Sequence, residues 1–222
     1  MSSVVTYKYI KQNPDIMTYI RQADKALEAI GYTEHSFAHV ERVAQTSSMI
    51  LTELGYLERQ IELVKIASIM HDIGNVINRV DHAQSGAVMA FRLLDNLSMP
   101  AQEICSIISA IGNHDESTAV PIDAISAALI IGDKTDVRRS RVRNNDLTTF
   151  DIHDRVNFAV EKSNVRFNES KTSLILELSI NTDISPVMEY FEIFLQRMIL
   201  CKKASQFFGL RFQMVINGAN VL

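Results

Sequence analysis

Apolar positions recur every three or four residues through the first two thirds of the chain, then switch to strict alternation. The first period is that of an amphipathic helix, the second that of a half-buried strand. Asn13-Pro14 reads as an N-cap and first helical position, with Gly31 as the terminator of that helix. A second helix is expected from Ser36 to Leu54, carrying Phe37, Val40, Val43, Ala44, Ser47, Ile50, Leu51 and Leu54 on one stripe, with Gly55 after it. A third runs from Glu58 to Asp72 and turns Ile61, Val64, Ile66, Ala67, Ile69 and Met70 inward. Further helices fit Gln84 to Asn96, Pro100 to Ile111 and Ile122 to Arg143, with Pro100 and Pro121 in first-turn positions.

After residue 160, Leu174, Leu176, Leu178 and Ile180 alternate with Ser173, Ile175, Glu177 and Ser179 as a strand. Val165 to Phe167 can pair with it through a turn at Asn168-Glu169. Ser185-Pro186 opens a helix that Gly209 closes, and Leu210, Phe212, Met214 and Ile216 form a last strand. The expected fold is therefore mainly α: a helical domain over residues 1–155, then a small α+β unit over 156–222 with the order strand-strand-helix-strand.

Composition narrows the function class only a little. Hydrophobic residues make up 47% and charged residues 22% of the 222, as in an ordinary folded protein. The net charge of -4 gives no support for an extended nucleic-acid-binding face. Met1 to Lys11 holds no apolar run of leader length, and Ala124 to Ile131 is too short to span a bilayer. Cys105 and Cys201 sit among apolar neighbours and read as reduced core thiols of a cytoplasmic protein, or as a pair bridged by a disulfide if the fold brings them together.

The candidate chemistry lies with the histidines. His71 and Asp72 are adjacent at the end of an aliphatic helix, where a buried polar pair needs something to satisfy it. A metal ion would do so, and imidazole beside carboxylate suits a divalent ion such as Fe, Mn, Mg or Zn. Past Asp133, four arginines within six residues (Arg138, Arg139, Arg141, Arg143) could offer guanidinium forks to phosphate from a helical face, or simply cover a solvated one. His35 reads as a supporting or surface residue and His153 as a surface residue. No Walker loop, dinucleotide fingerprint or nucleophile elbow competes.

The order His39-Val40-Glu41-Arg42-Val43, then His71-Asp72-Ile73-Gly74, then Asp133 after Ala128 to Gly132 resembles the HD superfamily of metal-dependent phosphohydrolases. His82-Ala83-Gln84-Ser85-Gly86-Ala87 and Gly112-Asn113-His114 are similar to later elements of the same series. The resemblance spans residues 35 to 140. It implies a metal held by His39, His71, Asp72 and Asp133, and a second completed by Asp72, His82 and His114, which are also the implied catalytic positions. Lys134, Arg138 and Arg139 are the implied substrate contacts, Arg139 in the better register. A small, nucleotide-like phosphorylated substrate and no membrane partner are implied, and an exposed strand edge in the C-terminal unit could pair with a second copy to form a homodimer. Two departures stand out. Asn75 occupies a position where many members carry Lys, which keeps open a metal- and nucleotide-binding regulatory module without turnover. No Gly-Tyr-Pro follows His114, which argues against cyclic-di-GMP as substrate.

Overall fold

The structure, a computed structural model, describes residues 4–144 and 146–222. The first three residues of the segment read above for a leader lie outside that description. The chain divides into two compact units, Met1–Asp133 and Lys134–Leu222.

The first unit is helical: α1 (Tyr7–Gln12), α2 (Pro14–Ala29), α3 (Phe37–Glu53), α4 (Glu58–Met70), a 3-10 turn at Ile73–Val76, α5 (His82–Asn96), α6 (Ala101–Gly112) and α7 (Ala124–Lys134). Local chemistry fixes most of the ends. Asn13 Oδ1 accepts from the amides of Asp15 and Ile16 at 3.0 and 3.2 Å, with Pro14 in the first turn. Gly31 and Gly55 take φ of +82° and +75° past the ends of α2 and α3, a conformation a Cβ would disfavour. Helix α1 was not expected from the pattern; Thr6 caps it, and only Ile10 of its six residues is buried. Helix α4 packs against α3 and α6, and α5 packs against α6. Ile66, Ile69 and Met70 of α4 are completely buried, each worth roughly 1.5–3 kcal/mol of burial. Helix α6 starts after Pro100, which sits in extended backbone as the N-cap rather than inside the first turn. Cys105 is exposed, not in the core, because α6 turns Ile104, Ile107, Ala110 and Ile111 inward and leaves that face to solvent.

The expected helix from Ile122 to Arg143 is much shorter. Asp123 Oδ1 caps α7 by accepting from the Ser126 amide at 2.7 Å, and the helix stops at Lys134. Arg138 is extended (φ -162°, ψ 150°) and Arg139–Arg141 form a 3-10 turn. The buried Asp136 holds this bend: its carboxylate accepts from Arg138 Nε at 2.9 Å and its carbonyl from Arg141 Nη1 at 2.8 Å. The arginines therefore do not share a helical face.

The second unit continues with α8 (Ile152–Ala159), β1 (Val160–Phe167), β2 (Ser173–Ile180), α9 (Val187–Phe207), β3 (Arg211–Ile216) and the short β4 (Ala219–Asn220). The sheet order is β1-β2-β3-β4. Strands β1 and β2 form an antiparallel pair, and β2 runs parallel to β3 with Leu174 beside Phe212 and Leu176 beside Met214. A parallel pair needs a crossover, and α9 supplies it. Leu176, Leu178 and Ile180 meet Tyr190, Phe194 and Met198 of α9 in one core, which Val137, Val156 and Ala159 join. The compact unit thus begins before the change of hydrophobic period. Among the described residues no helix is long and apolar enough to cross a membrane.

Candidate metal centre

Within the first unit, five helix ends deliver polar side chains to one point. His39 lies in the first turn of α3, whose N-cap Ser36 accepts from the Ala38 amide. His71 and Asp72 follow the last residue of α4, His82 opens α5, His114 follows α6, and Asp133 lies in the last turn of α7. Asp81, just before His82, takes the left-handed region at φ 55° and so turns the chain into α5. Helix α7 is pressed close to α3. Ser47 Oγ donates to the Ala128 carbonyl at 3.0 Å, and a Cβ on Gly132 would come within 2.9 Å of the Val43 carbonyl oxygen.

Asp72 stands at the centre. Its Oδ2 is 3.2 Å from His71 Nε2 and 3.6 Å from His39 Nε2, while its Oδ1 is 3.6 Å from His82 Nε2 and 3.9 Å from His114 Nε2. Asp133 Oδ1 completes the first side, 3.4 Å from His39 Nε2 and 3.7 Å from His71 Nε2. One carboxylate therefore faces two histidine pairs, one with each oxygen. All four histidines are at most 2% exposed.

The ring orientations are set by the backbone. Nδ1 of His71 donates to the Ser68 carbonyl at 2.7 Å, that of His82 to the Arg79 carbonyl at 3.0 Å, and that of His114 to the Ile111 carbonyl at 2.6 Å. A carbonyl only accepts, so each ring carries its proton on Nδ1 and, when neutral, aims an Nε2 lone pair inward. The Nε2 atoms of His82 and His114 are 3.2 Å apart. Two lone pairs at that distance, in a buried site, call for a cation or proton among them. The fully buried His71 Nε2 faces both carboxylates without the geometry of a hydrogen bond. Burial works to lower the pKa of His71, but Asp72 and Asp133 outweigh it and push it up to about 10. Burial likewise opposes ionisation of Asp72, yet His71, with His35 and His82 contributing, holds it well below the usual carboxylate range.

Among the described residues, three groups could hold a metal ion: His39, His71 and Asp72; His71, His114 and Asp133; and Asp72, His82 and His114, the donor atoms of each group lying within 4.8 Å of one another. Imidazole nitrogen and carboxylate oxygen in this proportion suit a divalent transition ion, and the Nδ1 bonds to backbone carbonyls are the orienting contacts such ligands use. All six expected ligands are thus brought together.

Sequence reasoning passed over Asp115 and Arg79, and took Asn75 only as a missing cation. Asp115 Oδ1 lies 3.8 Å from His82 Nε2; its signal was a second His-Asp pair, His114-Asp115. Asn75 donates its side-chain amide to the Asp72 carbonyl at 2.9 Å and to Asp72 Oδ1 at 3.0 Å, so it fixes the central carboxylate. Arg79 Nη1 is 3.3 Å from His82 Nε2. The expected substrate contacts lie in the second unit. Lys134 is buried, and Arg138 is bound to Asp136 and to Ser140 Oγ. Arg139 donates to the Phe158 carbonyl at 2.7 Å and lies over the Phe158 ring, 4.5 Å from its centre. His35 packs edge-on to His39, with centroids 5.4 Å apart.

The sequence profile described as the HD domain matches residues 36–155, more than half of the chain. The chain belongs to the HD domain family. Proteins of that family are in general metal-dependent hydrolases, and the clusters above are where this HD domain could hold its ions. An uncharacterized protein of Methanocaldococcus jannaschii, MJ1020, is 22% identical over 189 residues, which cover 74% of this chain and 72% of that protein. A predicted HD superfamily hydrolase from an uncultured Thermotogales bacterium has a crystal structure that covers 56% of this chain and 67% of its own, at 24% identity and a TM-score of 0.45.

Proposed function

We propose that this HD domain protein is a divalent-metal-dependent phosphohydrolase that cleaves a phosphoester or phosphoanhydride bond in a small, nucleotide-like substrate. The observation that carries the reading is Asp72, whose two oxygens face two separate pairs of inward-turned histidines. His39, His71, Asp72 and Asp133 would hold one ion, and Asp72, His82 and His114 a second, each Fe, Mn, Mg or Zn. A divalent ion held there supplies Lewis acidity toward water and toward a phosphoryl oxygen.

The protein's own groups do the rest. The backbone carbonyls of Ser68, Arg79 and Ile111 hold three imidazoles in one tautomer, so no reorganisation is needed at the moment of reaction. The Asn75 amide keeps Asp72 in its two-sided orientation. Asp115, partly buried beside His82, is placed to accept a proton. Lys134, Arg138 and Arg139 are retained as the expected phosphate contacts; Arg138 is held by Asp136 and Arg139 at Phe158. Two free thiols, Cys105 and Cys201, fit a reducing cytoplasm.

Asn75 favours a second reading, a metal- and nucleotide-binding regulatory module, because an amide brings no positive charge to a phosphate. Product analysis, reading the nucleotides formed together with any phosphate or pyrophosphate released, decides between the two. Nucleoside monophosphates, dinucleoside polyphosphates and guanosine alarmones are each incubated with the protein and added Mn or Fe. Turnover of one class, lost in Asp72→Ala, is the expected result. Metal uptake and nucleotide binding without turnover of any class would establish the regulatory module instead.

A further inference from the structure

Arg79 lies in the segment between the 3-10 turn and α5, flanked by the exposed Ile77 and Val80, so solvent reaches this edge of the cluster. Its guanidinium stands over the Tyr32 ring, 5.3 Å from the centroid. Nη1 makes both of its polar contacts, at 3.4 Å to Asn75 Oδ1 and at 3.3 Å to His82 Nε2. The Asn75 oxygen carries no charge, and both contacts are long for a hydrogen bond. Among the described residues no carboxylate oxygen lies within 4.0 Å of Arg79, although Asp72 and Asp115 both border His82. A cation without a carboxylate partner, at the open edge of a buried ligand cluster, is the arrangement expected where an anion docks.

We infer that Arg79 binds the phosphoryl group of the substrate on the His82 and His114 side of the cluster, which makes a phosphoryl dianion the group this site selects. The inference rests on the metal-dependent reading above. The planar fork has five donors, and Nε and Nη2 are spent on nothing else among the described residues, so two phosphoryl oxygens can be held at once. Nη1 would be free for the same oxygens if His82 were to hold an ion. Tyr32 keeps the guanidinium over the site without neutralising it. Asn75 and Arg79 thereby divide two tasks: Asn75 fixes Asp72, and Arg79 carries the charge.

The test uses the full chain loaded with Mn, and inorganic phosphate as the probe, followed by titration calorimetry with metal content measured on the same samples. Arg79→Met should keep the wild-type metal content and melting temperature and bind phosphate about 10- to 100-fold more weakly, the range for losing hydrogen bonds to a charged group. Arg79→Lys should recover part of the loss, and Arg79→Gln, which keeps donors but not charge, should not. Phosphate affinity equal to wild type in Arg79→Met and Arg79→Gln overturns the inference. Wild-type protein that takes up Mn but no phosphate also overturns it, while the metal reading stands. Wild-type protein that takes up no metal overturns the functional reading and this inference with it.

Discussion

Three glycines around the ligand cluster should respond very differently to the same added methyl group. A Cβ on Gly112 would meet only Ala87 Cβ, at 3.8 Å, an ordinary contact. One on Gly86 would come within 3.2 Å of the Gly74 nitrogen and 3.3 Å of the His71 carbonyl oxygen. One on Gly74 would collide with the His82 carbonyl oxygen and lie 2.5 Å from the Gly86 nitrogen and 2.6 Å from Ser85 Oγ. Two of those three neighbours are backbone, so relief requires moving the first turn of α5, which carries His82. Gly112→Ala should be neutral or stabilise by about 0.5–1 kcal/mol, from reduced chain entropy in a helix. Gly86→Ala should cost about 1 kcal/mol and Gly74→Ala about 3 kcal/mol or more, as overpacking against unyielding atoms does. For a chain of this length 1 kcal/mol shifts the melting temperature by roughly 2–4 °C, so Gly74→Ala should melt about 6–12 °C lower. Calorimetric melts of the three variants, purified side by side, read the series directly. Gly74→Ala melting with or above Gly112→Ala would refute the packing argument and with it the close approach of α5 to the His71-Asp72 turn.

Two further outcomes follow from charge. His71 has a pKa raised from 6.5 to about 10, so in chelator-treated protein it is protonated at neutral pH, and its contribution to stability is complete below pH 6.5 and lost as pH rises toward about 10. Metal uptake at pH 7 should therefore release about one proton per chain, read from calorimetry in two buffers of different ionisation enthalpy; zero release would contradict the assignment. Glu103, lowered by its hydrogen bond to Arg59 against a small desolvation effect, contributes stability above its ordinary 4.5 that disappears as pH falls. Glu103→Gln should cost at most about 1 kcal/mol at pH 7, since the pair is partly exposed, and progressively less as the pH falls below 4.5; a loss that does not change with pH would show a packing effect instead.

Much of this arrangement was legible because its signals are local or periodic. Asn13-Pro14 and the stripe of α3 each follow from neighbours within one or two turns, and the structure reproduces them; β2 forms where its alternation was read, but Ser173 and Ile175 are buried as well. The six expected ligands read as an ordered series, although nothing in their spacing shows that Asp72 offers one oxygen to each histidine pair. The end of α7 was hidden for a different reason. The aliphatic period runs on through Val137, but Asp136 is buried, and its bonds to Arg138 and Arg141 favour an open turn over another helical one. Those bonds leave no trace in hydropathy. Arg79 was missed because an arginine between two elements looks like any solvated loop residue until Tyr32, Asn75 and His82 are seen around it. Cys105 was misplaced because apolar neighbours in sequence are not neighbours across a helix.

Metal content is the most direct test of the central claim. Wild-type protein purified without chelator and analysed for bound elements should carry one or two equivalents of a divalent transition ion per chain. Asp72→Ala removes the carboxylate shared by both sides and should leave the protein folded with much less bound metal than wild type. Wild-type protein that holds no ion and takes none up from added Mn, Fe or Zn, or Asp72→Ala that binds as wild type does, would contradict the account.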